Sequence, residues 1–438
     1  MWWRSLIVPA VSVSFALSIS AAEAFCGPSF NLLGSSPVSC LSLSASKMSG
    51  KEGVKKRVVI LGAGLHGVST AYHLAKKGGN SLDITVVERS GVAAAASGKA
   101  GGFLARDWGS GPTDALHKIS FRMHAELAKE LNIESFRPIQ TLSVSGGRKG
   151  KNAAPWLNGK ASSTHMDSNT AQVTPLEVAT KMMEAAQKMG TKMKIGEAEG
   201  LVRGDDGSVQ GVVLRNEADP VPCDCLVVAM GPWSGPLGED WFDIPVPMEG
   251  IKSTSIVYHE NEAVRQNPFA LFCQEDSNGC HLEVYPRPNG DVYVCGCGGS
   301  DYVSGDRLRR GGDCADPEKI QANPQRVKAA SASLRAMAPD VARGEPDVAQ
   351  ACMRPCPPDG LPIMGSVPGT QGTAFLNCGH NCWGILWGPV SGLLMSELIL
   401  EGRCSTCSIS AFSPERFGGQ RKGTRGRKKG QEPVGEQW

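Results

Sequence analysis

Three glycines and one acid are spaced for holding a dinucleotide. Gly62, Gly64 and Gly67 fall in a Gly-x-Gly-x-x-Gly run, and Glu88 follows at the end of a second apolar stretch. Each has a task at that place. Gly62 permits a tight turn, Gly64 lets the backbone approach a pyrophosphate, and Gly67 lets a helix pack closely on a strand. A helix starting at this turn points unpaired N–H groups and its positive dipole end at the phosphates. Glu88 is placed to accept a hydrogen bond from ribose hydroxyls.

These tasks require strand, turn, helix and strand in that order, and the flanking residues supply them. Arg57 to Leu61 is a short apolar run, Val68 to Lys77 has helical patterning, and Ile84 to Val87 is a second apolar run. The alternative, a glycine-rich turn in another kind of α/β protein, has no use for the correctly spaced acid.

At 438 residues the chain is long enough for about two or three domains. A hydrophobic share of 41% with 20% charged residues marks a globular protein, and a net charge of +2 gives no reason to expect nucleic acid as a partner. Fifteen cysteines, an odd number, are scattered rather than framed, which argues against a disulfide scaffold. Close pairs such as Cys223/Cys225, Cys295/Cys297 and Cys404/Cys407 lack partner ligands, so no metal site is expected.

Residues 1–50 read as a targeting leader. Arg4 gives a positive start, and the apolar stretch from Leu6 to Ile19 is short and serine-interrupted. Ala22-Glu23-Ala24 has the pattern of a signal cleavage site. From Phe25 to Gly50 there is no acidic residue and serine is frequent, as in transit peptides. A signal followed by such a stretch resembles the bipartite plastid leader of algae with complex plastids. Plain secretion is one alternative; a start at Met48, leaving the protein in the cytoplasm, is another. No stable membrane span is expected in the mature chain. Residues 418–438 form a basic tail with Arg421, Lys422, Arg425, Arg427, Lys428 and Lys429, read as a solvated, disordered end.

Between the ends the pattern changes twice. Ala93 to Ala105 is dense in small residues, which lets backbone lie close against a ligand. Thr113 to Leu131 is helical, and Gly146 to Thr170 reads as a polar loop or insertion. Thr174-Pro175-Leu176-Glu177 has the form of a capping box and predicts a helix to about Met189, stopped by Gly190. Cys225 to Ala229 is a strand. Ile244 to Cys297 alternates short apolar runs with turns such as Pro288-Asn289-Gly290, which predicts antiparallel sheet. Arg326 to Ala338 is helical. The α/β character returns after Gln350, with strands at Leu361–Gly365 and Ala374–Asn377 and a helix led by Pro389 and closed by Gly402. The layout predicts an α/β fold: a Rossmann-like nucleotide-binding domain assembled from separated segments, with a mostly antiparallel domain inserted.

Five features occur in an order that resembles the D-amino-acid oxidase-type FAD-dependent oxidoreductases, glycine and sarcosine oxidases among them. They are the fingerprint, Ser97-Gly98-Lys99-Ala100-Gly101-Gly102, Ala229-x-Gly231-x-Trp233, Arg354-x-x-x-x-Asp359-Gly360-Leu361-Pro362-Ile363-x-Gly365, and Gly379-His380-x-x-x-Gly384. The version Ser-Gly-Lys-Ala-Gly-Gly-Phe-Leu-Ala looks most like a little-characterised oxidoreductase subgroup. The resemblance spans about 57–417 and implies a glutathione-reductase-like FAD-binding domain, from segments near 57–130, 170–243 and 350–417. Substrate-side segments would lie near 131–169 and 244–349.

The resemblance also implies FAD as cofactor. It places Gly62, Ala63, Gly64, Leu65, His66 and Gly67 at the pyrophosphate and Glu88 at the adenosine ribose. Arg89 and Ser97 to Gly102, with Lys99, would line the nucleotide and flavin. Ala198 would lie at the adenine edge. Ala229, Gly231 and Trp233 also belong to the cofactor set. Gly379, His380, Asn381, Trp383, Gly384 and Ile385 would pass the flavin pyrimidine. Arg354 is the first catalytic candidate, because related oxidases fork an arginine at this motif position onto the substrate carboxylate; a structural ion pair is the alternative. Cys352 stands seven residues before Asp359, where some relatives link covalently to flavin, although a buried thiol beside non-covalent FAD fits most members better. His380 is the third candidate. His281, Tyr258 and Tyr285 are candidates for reaching the substrate from the inserted sheet.

Two departures bear on substrate. Related oxidases carry a second cation in the Gly-His loop, where this chain has Asn381, Cys382 and Trp383. Sarcosine-oxidase-like members place a lysine over the flavin, and none stands between Tyr293 and Gly296. The expected activity is FAD-dependent oxidation of the C–N bond of an amine or amino-acid-like, carboxylate-bearing small molecule, with oxygen or an electron carrier as acceptor. The alternatives are a 2-hydroxy-acid dehydrogenase and a flavin-bound protein used for binding or trafficking.

Overall fold

Val58 to Leu61 are buried on both faces of their strand, as in the centre of a parallel sheet covered by helices. The computed structural model describes residues 54–147 and 150–418. The expected leader and the basic tail beyond Gly418 lie outside the described residues. The Lys56–Leu61 strand sits within a six-stranded sheet in the order Ile363–Ser366, Ala374–Cys378, Cys225–Val228, Lys56–Leu61, Leu82–Glu88, Lys192–Ile195. All neighbours are parallel except the Ile363–Ser366 edge. Strands far apart in sequence thus complete one sheet. The Leu65–Gly78, Pro175–Lys188 and Gly384–Glu401 helices share a core with it.

A second sheet has eight strands. Its path runs Asp301–Val303, Glu249–Tyr258, Val292–Cys295, Glu283–Pro286, Phe269–Cys273, Gln140–Gly146, Ala161–Asp167, and Val348–Cys356 pairs with Glu249–Tyr258. Most pairs are antiparallel, as expected between 244 and 297. Gln140–Gly146 joins Phe269–Cys273 in parallel. The Pro324–Met337 helix packs Ala330 and Leu334 onto this sheet's outer face.

Four local expectations need correction. The stretch read as a loop from 146 to 170 contains the Ala161–Asp167 edge strand. Its serines, threonine and histidine carry no apolar alternation, because much of this edge remains in solvent. The inserted sheet extends past 350, since Val348–Cys356 pairs from Val348↔Val257 to Cys356↔Glu249. The predicted capping box does not close. Thr174 makes no side-chain cap, and Glu177 instead accepts the backbone N–H groups of Glu134 at 2.7 Å and Ser135 at 3.0 Å.

The fourth correction concerns Pro389. It lies inside the Gly384–Glu401 helix rather than leading it. Proline offers no N–H, so the Ile385 carbonyl loses its helical donor. His124 replaces that donor, with Nε2 3.0 Å from the Ile385 oxygen and 3.2 Å from the Leu386 oxygen. The next amide, Val390 N–H, donates to Ser120 Oγ at 3.3 Å. Both rescuers come from the Asp114–Leu131 helix. With two carbonyls as neighbours, Nε2 must carry the proton. The helix is long and apolar enough to cross a bilayer, but most of it is buried inside the protein.

Burial pulls the His124 pKa down from 6.5 to about 4, against the two carbonyl bonds that favour its charge. The unfolded chain therefore binds this proton first. Stability is fully present above 6.5 and is lost as pH falls toward 4. His124→Leu is expected to cost about 1–3 kcal/mol at neutral pH, by leaving a buried carbonyl unsatisfied. It should also flatten part of the acid limb. Urea unfolding of both proteins at about pH 7.5 and about pH 5 measures both effects. An equal stability gap at the two pH values would contradict the assignment.

Candidate active site

Parallel strands leave their carboxyl ends on one side of a sheet, and ligands bind in the crevice there. The Gly62 N–H donates to the Val87 carbonyl at 2.8 Å and the Ala229 N–H to the Leu61 carbonyl at 2.9 Å. Three strand ends, leading into Gly62, Glu88 and Ala229, therefore finish side by side. Gly62 has φ +99°, and a Cβ on it would stand 2.5 Å from the Ala229 oxygen. A Cβ on Gly67 would overlap the Gly62 carbonyl oxygen. The tight turn and close packing expected of these glycines are both present. Glu88 is held at the turn, accepting the N–H groups of Ala63 at 2.7 Å and Ser90 at 3.0 Å. Ser97 Oγ accepts from the Leu65 N–H at 2.9 Å, which ties the small-residue segment to the first helix.

One continuous cleft of about 540 Å³ opens on these ends. Of the residues expected at a cofactor or catalytic site, it is lined by Gly62, Gly64, His66, Glu88, Arg89, Ser97, Ala100, Gly101, Gly102 and Ala198. Ala229, Gly231, Trp233, Cys352, Arg354, His380, Asn381, Trp383, Gly384 and Ile385 line it as well. Six others support it from behind. Ala63 and Leu65 are wholly buried, and Gly67 packs beneath the turn. A Cβ on Gly98 would collide with the Ala93 carbonyl, and one on Gly379 would stand 2.7 Å from Pro357. Lys99 turns its carbonyl to Gln350, accepting from Nε2 at 3.2 Å, and its charge acts on the Cys352 thiol.

Charged residues frame the Glu88 end. Arg89 lines the cleft, but its guanidinium is engaged by Asp316, by Glu197 at 3.7 Å and by the Ala315 carbonyl at 3.1 Å. Arg215 pairs with the same Glu197 at 2.5 Å. Arg89 therefore fastens the segment around Asp316 over the cleft. Neither Asp316 nor Arg215 belongs to a recognisable motif.

At the other end, His66 and His380 stack with ring centroids 3.5 Å apart and planes 14° from parallel. Burial brings the His66 pKa down to about 3; burial and the neighbouring imidazole hold His380 well below its ordinary value. Both rings are neutral. His380 Nε2 meets Ser391 Oγ at 3.0 Å, and Nδ1 of each ring has no hydrogen-bond partner among the described residues. The Gly384–Glu401 helix begins here. Its close approach to the first helix depends on Gly388, where a Cβ would stand 2.5 Å from Leu65. Two helix N-termini thus open on one cleft, which favours negative charge between them.

The second sheet covers the cleft with alternate residues. Ser253 and Ser255, Glu283 and Tyr285, Tyr293 and Cys295, and Cys352 and Arg354 all line it. Cross-strand register aligns Glu283 with Cys295, Tyr285 with Tyr293, and Ser253 with Cys352. Arg354 Nη2 donates to Ser253 Oγ at 3.4 Å. Burial opposes the Arg354 charge, but Cys382, Cys356 and Glu283 leave its pKa raised on balance, so it stays cationic. Burial pushes the Cys352 thiol up, with Arg354 and Lys99 acting against it. His281 and Tyr285 reach the cleft as expected. Tyr258 does not: it has the opposite parity on its strand and lies in the outer core with Val264 and Leu334. Glu283 was not among the sequence candidates.

A glycine turn, an acid at the second strand end and two orphaned ring nitrogens along one cleft fit an adenine dinucleotide with a polar far ring. Closed by a second sheet carrying a half-buried cation, this is the architecture of a flavin-dependent oxidoreductase. The family model for FAD dependent oxidoreductases, DAO, matches residues 57–398, and the chain belongs to that family. FAD is its cofactor. The chain is 27% identical over 396 residues to "Putative oxidoreductase C1F5.03c" of Schizosaccharomyces pombe, covering 82% of this chain and 98% of that protein. It shares its fold with glycine oxidase from Geobacillus kaustophilus, at TM-score 0.67 and 20% identity, covering 83% of this chain and 99% of the other. The L-amino acid deaminase from Proteus myxofaciens, solved in complex with anthranilate, matches at TM-score 0.68 and 16% identity, covering 84% and 95%.

Proposed function

We propose that the protein oxidises the C–N bond of a carboxylate-bearing amine or amino acid. The observation that carries this reading is Arg354, a permanently charged guanidinium set into the cleft wall. A planar fork of N–H donors suits a carboxylate. Ser253 Oγ steadies it from the neighbouring strand. FAD supplies the hydride acceptor, its N5 atom. Tyr285, Tyr293 and Phe103 form an aromatic wall that excludes water from the substrate. The neutral His66 and His380 add no cation to compete with Arg354. The N-terminus of the Gly384–Glu401 helix offers N–H groups to negative charge that develops nearby. Two relatives named for amino-acid chemistry, a glycine oxidase and an L-amino acid deaminase, support the choice of substrate class. A half-buried Cys352 whose thiol pKa is pushed up, keeping it protonated, supports FAD held without a covalent bond.

Anaerobic titration of the purified holoprotein tests this. Amino acids and secondary amino acids are expected to bleach the flavin absorbance, and the corresponding 2-hydroxy acids are not. Bleaching by hydroxy acids alone would replace C–N by C–O oxidation. Flavin released by acid precipitation is the expected result for non-covalent FAD, and colour retained in the pellet would contradict it.

A further inference from the structure

We propose that Glu283 recognises the substrate's ammonium group and makes the site selective for zwitterionic amino acids over carboxylates without a cation. This rests on the carboxylate-anchoring role of Arg354. Glu283 and Arg354 line the same cleft from two strands of the second sheet. Their charges act on each other, since Glu283 helps to raise the Arg354 pKa. The Glu283 carboxylate is also held in place. The Tyr285 hydroxyl and the Cys295 thiol, the latter at 3.4 Å, both donate to Oε2. Among the described residues none donates to Oε1.

An ionised carboxylate accepts hydrogen bonds and offers none. The group that meets it in a cleft is therefore a donor, and a cationic one repays its desolvation best. An α-amino acid carries the two complementary charges on one carbon, one for Arg354 and one for Glu283. The ring of Phe103 stacks on that of Tyr285 at 5.3 Å beside the acid, and both line the cleft. Aromatic faces favour both a cation and an apolar side chain. A 2-hydroxy acid satisfies Arg354 but leaves Glu283 facing a neutral hydroxyl.

The test uses two unreactive ligands of the holoprotein, read by perturbation of the flavin spectrum. One is α-methylphenylalanine, a zwitterion with no Cα–H to lose. The other is α,α-dimethylhydrocinnamate, its isostere with methyl in place of ammonium. Wild type should bind the zwitterion about tenfold or more tightly than the isostere, and Glu283→Gln should erase that preference while holding the isostere unchanged. Flavin content and melting temperature of Glu283→Gln should match wild type, because glutamine can still accept from Tyr285. Equal weakening of both ligands, or no preference in wild type, overturns the proposal. Arg354→Ala should weaken both ligands, the isostere more, because it has no ammonium to offset repulsion of its carboxylate by Glu283. If it weakens neither while Glu283→Gln still acts on the zwitterion alone, the anchor at Arg354 fails and the ammonium site stands. Binding of neither ligand to wild type sinks both.

Discussion

Gly67→Val is expected to yield a protein without FAD. The reason is local and steric. A Cβ at this position would occupy the space of the Gly62 carbonyl oxygen. Neither side can move aside cheaply. The turn at Gly62 is fixed by its N–H to Val87 and by its contact with the Ala229 backbone. The helix is fixed by the Gly384–Glu401 helix packed on it through Gly388 and Gly392. Relief must come by lifting the first turn of the helix off the strand ends, and that turn carries the N–H groups meant for the pyrophosphate. Overpacking alone costs about 1–3 kcal/mol. Loss of the bound dinucleotide removes its mass-action stabilisation as well. The measurements are the ratio of flavin to protein absorbance after purification and the rise in melting temperature on adding FAD. Both should fall close to zero, whereas Glu88→Ala, which removes a contact without a clash, should leave weakened but detectable binding. Stoichiometric flavin in Gly67→Val would show that the close packing is dispensable.

Such a prediction is available from sequence because every part of it is local. Strand, turn, helix and acid lie within Arg57 to Glu88, and each glycine answers to one steric demand. The substrate half is different. In His281-Leu282-Glu283-Val284-Tyr285 the alternation puts three polar side chains on one face, and His281 and Tyr285 were legible as candidates on chemistry alone. Glu283, between them, has a role only through Arg354, which arrives on a strand some seventy residues later. Tyr258 failed for a related reason: residue type nominated it, but strand parity turns it to the outer core. Pro389 shows non-local rescue most plainly. Proline is common in the first turn of helices and so reads as a start. Only the fold brings His124 and Ser120 to the backbone groups that would otherwise forbid it inside. Thr174 shows the converse. Its capping-box pattern is complete in sequence, yet Glu177 is recruited by the amides of Glu134 and Ser135.

Arg354→Ala should lower kcat/KM by about thirtyfold or more while leaving FAD in place. The guanidinium lies on the second sheet, away from the glycine turn and Glu88, so flavin content should not change. What is lost is the partner of the substrate carboxylate. Removing one member of a desolvated, hydrogen-bonded charge pair costs about 2–5 kcal/mol. That range corresponds to roughly thirtyfold to several thousandfold in kcat/KM. Most of the loss should appear in KM, because the carboxylate is bound equally in the ground and transition states. A smaller fall in kcat would report the loosened aim of the Cα–H bond. Arg354→Lys should lie between, keeping the charge but not the fork. No pH dependence should enter through this residue, since its neighbours hold it cationic. Removing the cation also leaves Glu283 facing the cleft without its counter-charge, so Arg354→Ala should repel carboxylate ligands more strongly than the double variant with Glu283→Gln. Steady-state kinetics of the single and double variants separate the two terms. If Arg354→Ala keeps the wild-type KM, the carboxylate is anchored elsewhere and the guanidinium serves only to balance Glu283.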